Sequence, residues 1–302
     1  MSAAGRFAPS PSGDLHLGNL RTALLAWLFA RSTGRDFVIR MEDLDRVRPG
    51  AAQRQLSDLA AIGLDWSEPV IWQSARREVY RAAVAELTSA GETFECFCTR
   101  REIQEAPSAP HAPPGAYPGT CRDLTEPQRA QRRGDRPAAI RLRADTASFT
   151  VHDQLHDQLH GDYTGEVDDF VLLRGDGTPA YNLAVVVDDA AAGIDQVVRG
   201  EDLLSSAPRQ AYLAVRLGYP VPEYAHVPMV LNTDRIRLSK RDGAITLAQL
   251  ADHGIDSARA LTLMAESLGL AAPGESVDVE TLLRRFDPAR IPREPWLFTP
   301  PG

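Results

Sequence analysis

Two stretches of the chain hold residue types suited to a polyphosphate ligand. The first is Arg6-Phe7-Ala8-Pro9-Ser10-Pro11-Ser12-Gly13-Asp14-Leu15-His16-Leu17-Gly18-Asn19. It falls between an expected strand and the start of an expected helix, where free backbone N–H groups and the helix dipole favour an anion. Gly13 and Gly18 let a ligand approach the backbone closely, and His16 can donate to a phosphate oxygen. The second is Arg237-Leu238-Ser239-Lys240-Arg241, whose cations and hydroxyl would clamp phosphates. Each stretch also has a plainer reading: a proline-rich turn in which Asn19 caps the helix, and a surface loop with solvated charges. Lys240 is a candidate for a special role, with chance survival under nucleotide bias as the alternative, because it is the only lysine in the sequence and the other Lys/Arg positions are all arginine. A compact ammonium at one position of an arginine-rich chain points to a task that a guanidinium fork performs poorly.

The three cysteines form another constellation, Cys96-x-Cys98 followed by Tyr117-x₃-Cys121. Three thiolates suggest Zn²⁺, and a tetrahedral structural site wants a fourth donor. From chemistry alone His111 is the favourite, and three free, reduced thiols are the alternative. His-Asp-Gln-Leu occurs in tandem, over His152–Leu155 and His156–Leu159. It reads as a duplication within a solvated loop rather than a metal site.

The elements that must carry these residues follow from the apolar pattern. Arg6–Ala8 ends a short strand, Leu20–Phe29 is a strongly apolar helix closed by Gly34, and Phe37–Met41 is a buried strand. Ala51–Ile62 and Arg76–Ala90 read as helices, and Thr93–Cys98 as a strand. This β-α-β-α order predicts an α/β fold, a parallel Rossmann-like sheet with covering helices. Proline-rich Glu105–Gly119 and arginine-rich Gln128–Arg136 mark residues 99–165 as an insertion. Strands are expected again at Phe170–Arg174, Tyr181–Val187 and Gln196–Arg199, with a helix at Ser206–Leu217 and Val227–Leu231 completing the sheet. Helical segments follow at Thr246–His253, Ala258–Leu268 and Val279–Phe286, and Pro288–Gly302 is expected to wrap the surface. The expected divisions are 1–98 and 166–245 as halves of a nucleotide-binding catalytic domain, 99–165 as a zinc-bearing insertion, and 246–302 as a short helical C-terminal subdomain.

Composition narrows the function classes. A formal net charge of −8 excludes a generally basic nucleic-acid binder but allows a local positive face. The longest wholly apolar run, Ala23–Ala30, is far short of the ~20 residues that span a bilayer. No secretory signal is visible after Met1, and an odd cysteine count argues against a disulfide framework. A cytoplasmic protein acting as a monomer, with no membrane or DNA partner, is the expectation.

Taken together, the two phosphate stretches on an alternating sheet resemble the catalytic core of class I aminoacyl-tRNA synthetases. His16-Leu17-Gly18-Asn19 looks like the family's HIGH signature, and Arg237–Arg241 like its KMSKS signature. The opening Arg6–Gly13, Arg21-Thr22-Ala23 and Met41-Glu42-Asp43-Leu44-Asp45 resemble the glutamyl branch. Asn19 stands where the signature has its second histidine, Ser12 replaces a threonine, and Arg237 and Arg241 flank Leu-Ser-Lys where the family has Lys and Ser.

The resemblance implies adenylate formation: a carboxylate attacks the α-phosphorus of ATP in line and pyrophosphate leaves. His16 and Lys240 would contact the separating phosphates; Gly18, Asn19, Leu238 and Ser239 would complete the ATP site, with Mg²⁺ accompanying the nucleotide. Arg6, Phe7, Ala8, Pro9, Ser10, Glu42, Tyr181 and Arg199 match the glutamate-contacting positions of the branch. Arg6 and Arg199 would face carboxylates, Glu42 the ammonium, and Tyr181 would close the pocket; Glu42 and Arg199 could instead form a structural ion pair. Asp43 and Asp45 read as loop-shaping or capping residues. The branch's Cys-x-Cys…Tyr-x₃-Cys site points to Tyr117 as the fourth ligand of one structural Zn²⁺ held by Cys96, Cys98 and Cys121. With only about sixty residues after the KMSKS-like loop, there is no room for the large anticodon-reading domains of the full-length enzymes. The chain thus resembles their truncated paralogues, which activate L-glutamate without tRNA and esterify it to queuosine in the anticodon stem-loop of tRNA(Asp). A ligase with another acceptor, or a HIGH-motif nucleotidyltransferase, is the alternative.

Overall fold

A computed structural model describes residues 3–105, 117–156, 161–236 and 245–299. Strand β1 (Ala4–Phe7) lies at the centre of a five-stranded, wholly parallel sheet. The chain leaves it through helix α1 (Leu17–Ser32) to β2 (Asp36–Met41), then through α2 (Ala51–Ala61) to β3 (Ser67–Trp72) at one edge. After α3 (Arg77–Ser89) it departs from the sheet. It returns on the other side of β1 as β9 (Ile194–Gly200), then passes through α7 (Ala207–Arg216) to β10 (Glu223–Val227). The strand order β10-β9-β1-β2-β3 reverses direction at β1, and open sheets bind ligands beyond the strand ends at such a switch point. Arg6, Arg40 and Arg199 occupy those ends.

Helix α1 is buried almost all round, which its apolar run Ala23–Ala30 requires. It runs so close to β1 that a Cβ on Gly5 would sit 2.9 Å from the Ala30 Cβ. Its opposite side meets the C-terminal helices α8 (Leu247–Asp252), α9 (Ser257–Ser267) and α10 (Val279–Arg285), with Phe29 edge-on to Phe286 at 5.1 Å. No helix among the described residues is long and apolar enough to cross a membrane.

Four expectations are corrected. Tyr181–Val187 is not a strand but the start of helix α6 (Tyr181–Ala191). Its valine run is packed between α3 and α7, and a segment apolar on every side shows the same pattern in either period. Thr93–Cys98 and Phe170–Arg174 do form strands, β4 (Thr93–Cys96) and β8 (Val171–Leu173). They pair antiparallel with β5 (Ala139–Leu142) in a separate sheet. Between them lie α4 (Arg100–Glu105), α5 (Glu126–Asp135) and a hairpin of β6 (Ser148–His152) and β7 (Asp162–Glu166). The sheet's last strand is β10, whereas β11 (Val230–Leu231) pairs with β12 (Trp296–Leu297) from the tail. That tail is more than a surface wrap, for Ile291 and Phe298 are buried in the main core.

Candidate active site and cysteine cluster

The loop after β1 is fastened to the loop after β2. Glu42 N–H donates to the Pro9 carbonyl at 3.0 Å and Arg48 N–H to that of Pro11 at 2.9 Å. The Gln55 amide reaches the carbonyls of Ser10 and Gly13 at 3.0 and 2.6 Å. Phe7 and Pro9 are buried, Ala8 is partly so, and Ser10 is exposed.

His16, not Asn19, caps α1. Its Nδ1 accepts from Asn19 N–H at 3.3 Å, and Asn19 Oδ1 accepts from His16 N–H at 3.3 Å. A neutral imidazole with Nδ1 accepting carries its proton on Nε2, which is then a donor. Gly18 leaves space for this ring: an added Cβ would lie 3.1 Å from it. Leu17 N–H donates to the Ile245 carbonyl at 2.9 Å, and His16 bridges to Thr246. Arg237, Leu238, Ser239, Lys240 and Arg241 lie outside the described residues.

Arg6 and Glu42 belong to one buried cluster of charges. Arg6 Nε donates to Asp189 Oδ1 at 3.4 Å and its Nη1 to the Val198 carbonyl at 3.5 Å. Arg40, 1% exposed, shares Asp189, donates to Glu42 Oε1 at 3.3 Å and lies 3.9 Å from Asp188. Burial opposes ionisation of Asp189, but the charges of Arg40 and Arg6 outweigh it and hold its pKa below the ordinary range. For Glu42 the balance is reversed: burial outweighs Arg40 and Arg6, and its pKa is raised. Glu42 is thus a carboxylate short of positive charge. Asp188 accepts from Gln73, Arg76 and Tyr80, pinning α6, whose first residue is the exposed Tyr181.

Arg199 is not paired with Glu42. Its Nε donates to His226 Nε2 at 2.9 Å, Nη1 to Gln210 Oε1 at 2.7 Å and Nη2 to the Leu203 carbonyl at 3.3 Å. Tyr224 joins the two groups, with the Arg199 guanidinium 5.5 Å from its ring centroid. Burial raises the Tyr224 pKa to about 12, and Arg199, Asp189, Arg6 and Tyr181 all act on it. The arrangement sets guanidinium groups on neighbouring strands at the switch point beside one under-compensated carboxylate. It suits a zwitterion carrying an extra carboxylate.

Arg40, Asp188, Asp189, Tyr224, His226 and Asp153 escaped the reading of the sequence. A charged residue inside the apolar strand Asp36–Met41 and the acidic pair ending the apolar run Leu183–Val187 were the available signals. Asp43 and Asp45 shape loops: Asp43 accepts from Ser74 N–H, and Asp45 pairs with Arg174 at 2.9 Å.

The Cys96, Cys98 and Cys121 sulfurs lie within 4.8 Å of one another. The Tyr117 hydroxyl joins them, accepting from Cys121 N–H at 2.8 Å and hydrogen-bonding Cys96, while Arg141 stacks on its ring at 3.8 Å. Burial, then the neighbouring Cys96, push the Cys98 thiol up to about 12. Three crowded sulfurs with a phenol at the fourth side form a donor set that could hold a metal. His111 lies outside the described residues, as does the end of the tandem repeat.

The family model "tRNA synthetases class I (E and Q), catalytic domain" matches residues 3–298. A glutamyl-Q tRNA(Asp) synthetase of Nocardia farcinica is 65% identical, covering 100% of this chain and 95% of the relative. One from Cutibacterium acnes is 54% identical over 91% of this chain and 80% of its own. A glutamate–tRNA ligase of Geobacter sulfurreducens is 43% identical, covering 82% of this chain and 53% of the ligase. A solved glutamate tRNA ligase from Elizabethkingia meningosepticum, in complex with its amino acid, superposes with a TM-score of 0.84 at 27% identity. That match covers 99% of this chain and 68% of the ligase.

Proposed function

The chain belongs to the class I tRNA synthetase family of the glutamyl and glutaminyl type, and on that footing we propose that it activates L-glutamate with ATP and transfers it to queuosine in the anticodon of tRNA(Asp). The observation that carries this reading is the 65% identity, end to end, with a glutamyl-Q tRNA(Asp) synthetase. The pocket's chemistry supports it from below.

Glutamate enters with its carboxylates toward Arg6 and Arg199 and its ammonium toward Glu42, under Tyr181. Ser10 and the backbone of Phe7, Ala8 and Pro9 line the approach. The α-carboxylate attacks the α-phosphorus of ATP and pyrophosphate departs, leaving glutamyl-adenylate. His16 donates through Nε2 to the phosphates at the α1 N-terminus beside Gly18 and Asn19. Lys240, with Leu238 and Ser239, neutralises charge on the leaving pyrophosphate. Positioning and charge stabilisation carry the rate. A hydroxyl of the queuosine diol then attacks the adenylate carbonyl, forming the ester and releasing AMP. Mg²⁺ bound with ATP offsets phosphate charge, and Zn²⁺ held by Cys96, Cys98, Cys121 and Tyr117 has a structural task. Residues 1–98 and 166–245 supply the activation domain, 99–165 the zinc-bearing insertion, to which the flanks lend β4, Cys96, Cys98 and β8, and 246–302 the helical subdomain of a monomeric cytoplasmic enzyme.

Charging with labelled glutamate tests the acceptor. Label should enter tRNA(Asp) that carries queuosine and be absent from the same tRNA with guanosine at that position; equal labelling of both contradicts the reading.

A further inference from the structure

Arg199 is held differently from the other arginines at this end of the sheet. Arg6 and Arg40 rest on carboxylates. Every hydrogen-bond partner of Arg199 among the described residues is neutral: the His226 ring, the Gln210 amide and the Leu203 carbonyl.

His226 faces Arg199 directly across the β9–β10 pair and is fully buried. The Arg199 Nε–H can only donate, so His226 Nε2 must accept, and the ring proton then belongs on Nδ1. There it meets Asp153 Oδ2. The other oxygen, Asp153 Oδ1, accepts from the N–H groups of Leu155 and His156 at 2.9 Å each and of His226 at 3.4 Å. The tautomer is therefore fixed from both ends. Burial, reinforced by Arg199 against the pull of Asp153, holds the His226 pKa at about 4, so the ring is neutral in the working range. Asp153 is the second residue of the tandem His-Asp-Gln-Leu repeat, and it has no exposure at all. Gln154 N–H also donates to the Tyr224 carbonyl at 2.9 Å, tying the repeat to β10.

We propose that Asp153 and His226 are a positioning pair for substrate binding: they lock the Arg199 guanidinium through a neutral acceptor, leaving its charge free for a carboxylate of the amino-acid substrate. A carboxylate in place of His226 would orient Arg199 equally well but cancel the charge that the ligand needs. The proposal rests on Arg199 contacting glutamate, and it gives the first copy of the tandem repeat a task at the active site.

Asp153→Asn tests it with little change of shape. Three backbone N–H donors keep the amide oxygen at the Oδ1 position, so the NH₂ faces His226 Nδ1 and drives the proton to Nε2, donor against donor with Arg199. The KM for glutamate should rise about 10- to 100-fold, as when other orienting partners are lost, with kcat and the KM for ATP near wild type. A merely structural lesion would move all three. Nitrogen-15 NMR of wild-type His226 should show the neutral Nδ1–H tautomer; the Nε2–H form or an imidazolium at pH 7 overturns the proposal even if the variant does not fold. Arg199→Gln separates the two assignments. If it raises the KM for glutamate while Asp153→Asn does not, the positioning pair is wrong and the site stands. If Arg199→Gln has no effect on glutamate, the site assignment falls and the proposal with it.

Discussion

Leu17, the residue after His16, donates its backbone N–H to the carbonyl of Ile245 at 2.9 Å. The helix start that would receive the ATP phosphates is thereby stitched to the chain as it leaves the segment containing Lys240. The His–x–Gly turn and Ile245 and Thr246, far apart in sequence, thus meet at one helix terminus, where free N–H groups favour a phosphate.

Lys240→Arg is expected to lower turnover by about 10²–10³, the scale of losing one transition-state donor. Arginine keeps the charge but lacks the compact ammonium, so kcat should fall more than glutamate affinity. Arg284→Lys, on the exposed face of α10, is the matched control and should be nearly silent. Wild-type exchange rates in Lys240→Arg would move the clamp role to Arg237 or Arg241.

Gly18→Ala tests the placing of His16. The new Cβ would crowd the imidazole from 3.1 Å and push it by a few tenths of an ångström, straining its bond to Asn19 N–H. The loss should appear in kcat and the KM for ATP, with little change in the KM for glutamate. A uniform loss of folded protein would point to the helix cap alone.

Glu42 gives the site a pH signature. Its folded pKa is raised by burial, so between the ordinary glutamate value of about 4.3 and that raised value the free protein holds a proton that the unfolded chain has released. Stability contributed by the neutral form is present below this window and is lost as pH rises through it. A substrate ammonium favours the ionised form, so glutamate binding should release protons in the same window, and affinity should rise with pH and then level off. Calorimetry in buffers of different ionisation enthalpy measures the release. Glu42→Gln should abolish it, weaken glutamate binding and melt no lower than wild type at neutral pH.

Asp189 has the opposite sign. Its pKa is depressed, so the stability it contributes is present above the ordinary aspartate value and lost as pH falls through the folded one. Asp189→Asn removes a counterion shared by Arg6 and Arg40 and should cost roughly 3–5 kcal/mol, the usual consequence of leaving buried charge uncompensated. Chemical denaturation measures it; a loss below about 1 kcal/mol would show that Glu42 and Asp188 suffice for Arg40.

Much of this was legible in the sequence because it is local. The glycine and histidine of the α1 turn, the cysteine spacing and the apolar period of α1 are each contained within a few residues. The supports were not legible. Asp189 meets Arg6 across 183 residues, and Asp153 meets His226 across 73, through folding that no short window reports. Helix α6 misled for a related reason: buried on both sides, Leu183–Val187 carries no amphipathic signal, so its valines suggested a strand. The tandem repeat read as solvated because its polar residues show no sign of the buried partners that hold Asp153.

Metal analysis should find one Zn²⁺ per chain, retained in His111→Ala and weakened in Tyr117→Phe. The opposite pattern would make His111 the fourth ligand, and carefully prepared protein with little zinc would leave the three cysteines as free thiols.

The most direct test of glutamate activation is ATP–pyrophosphate exchange with no tRNA present, scanned over the proteinogenic amino acids. Exchange with L-glutamate alone, abolished in Lys240→Ala and weakened in Arg6→Gln, is the predicted result. Exchange that ignores the amino acid, or that appears only once tRNA is added, would contradict the account.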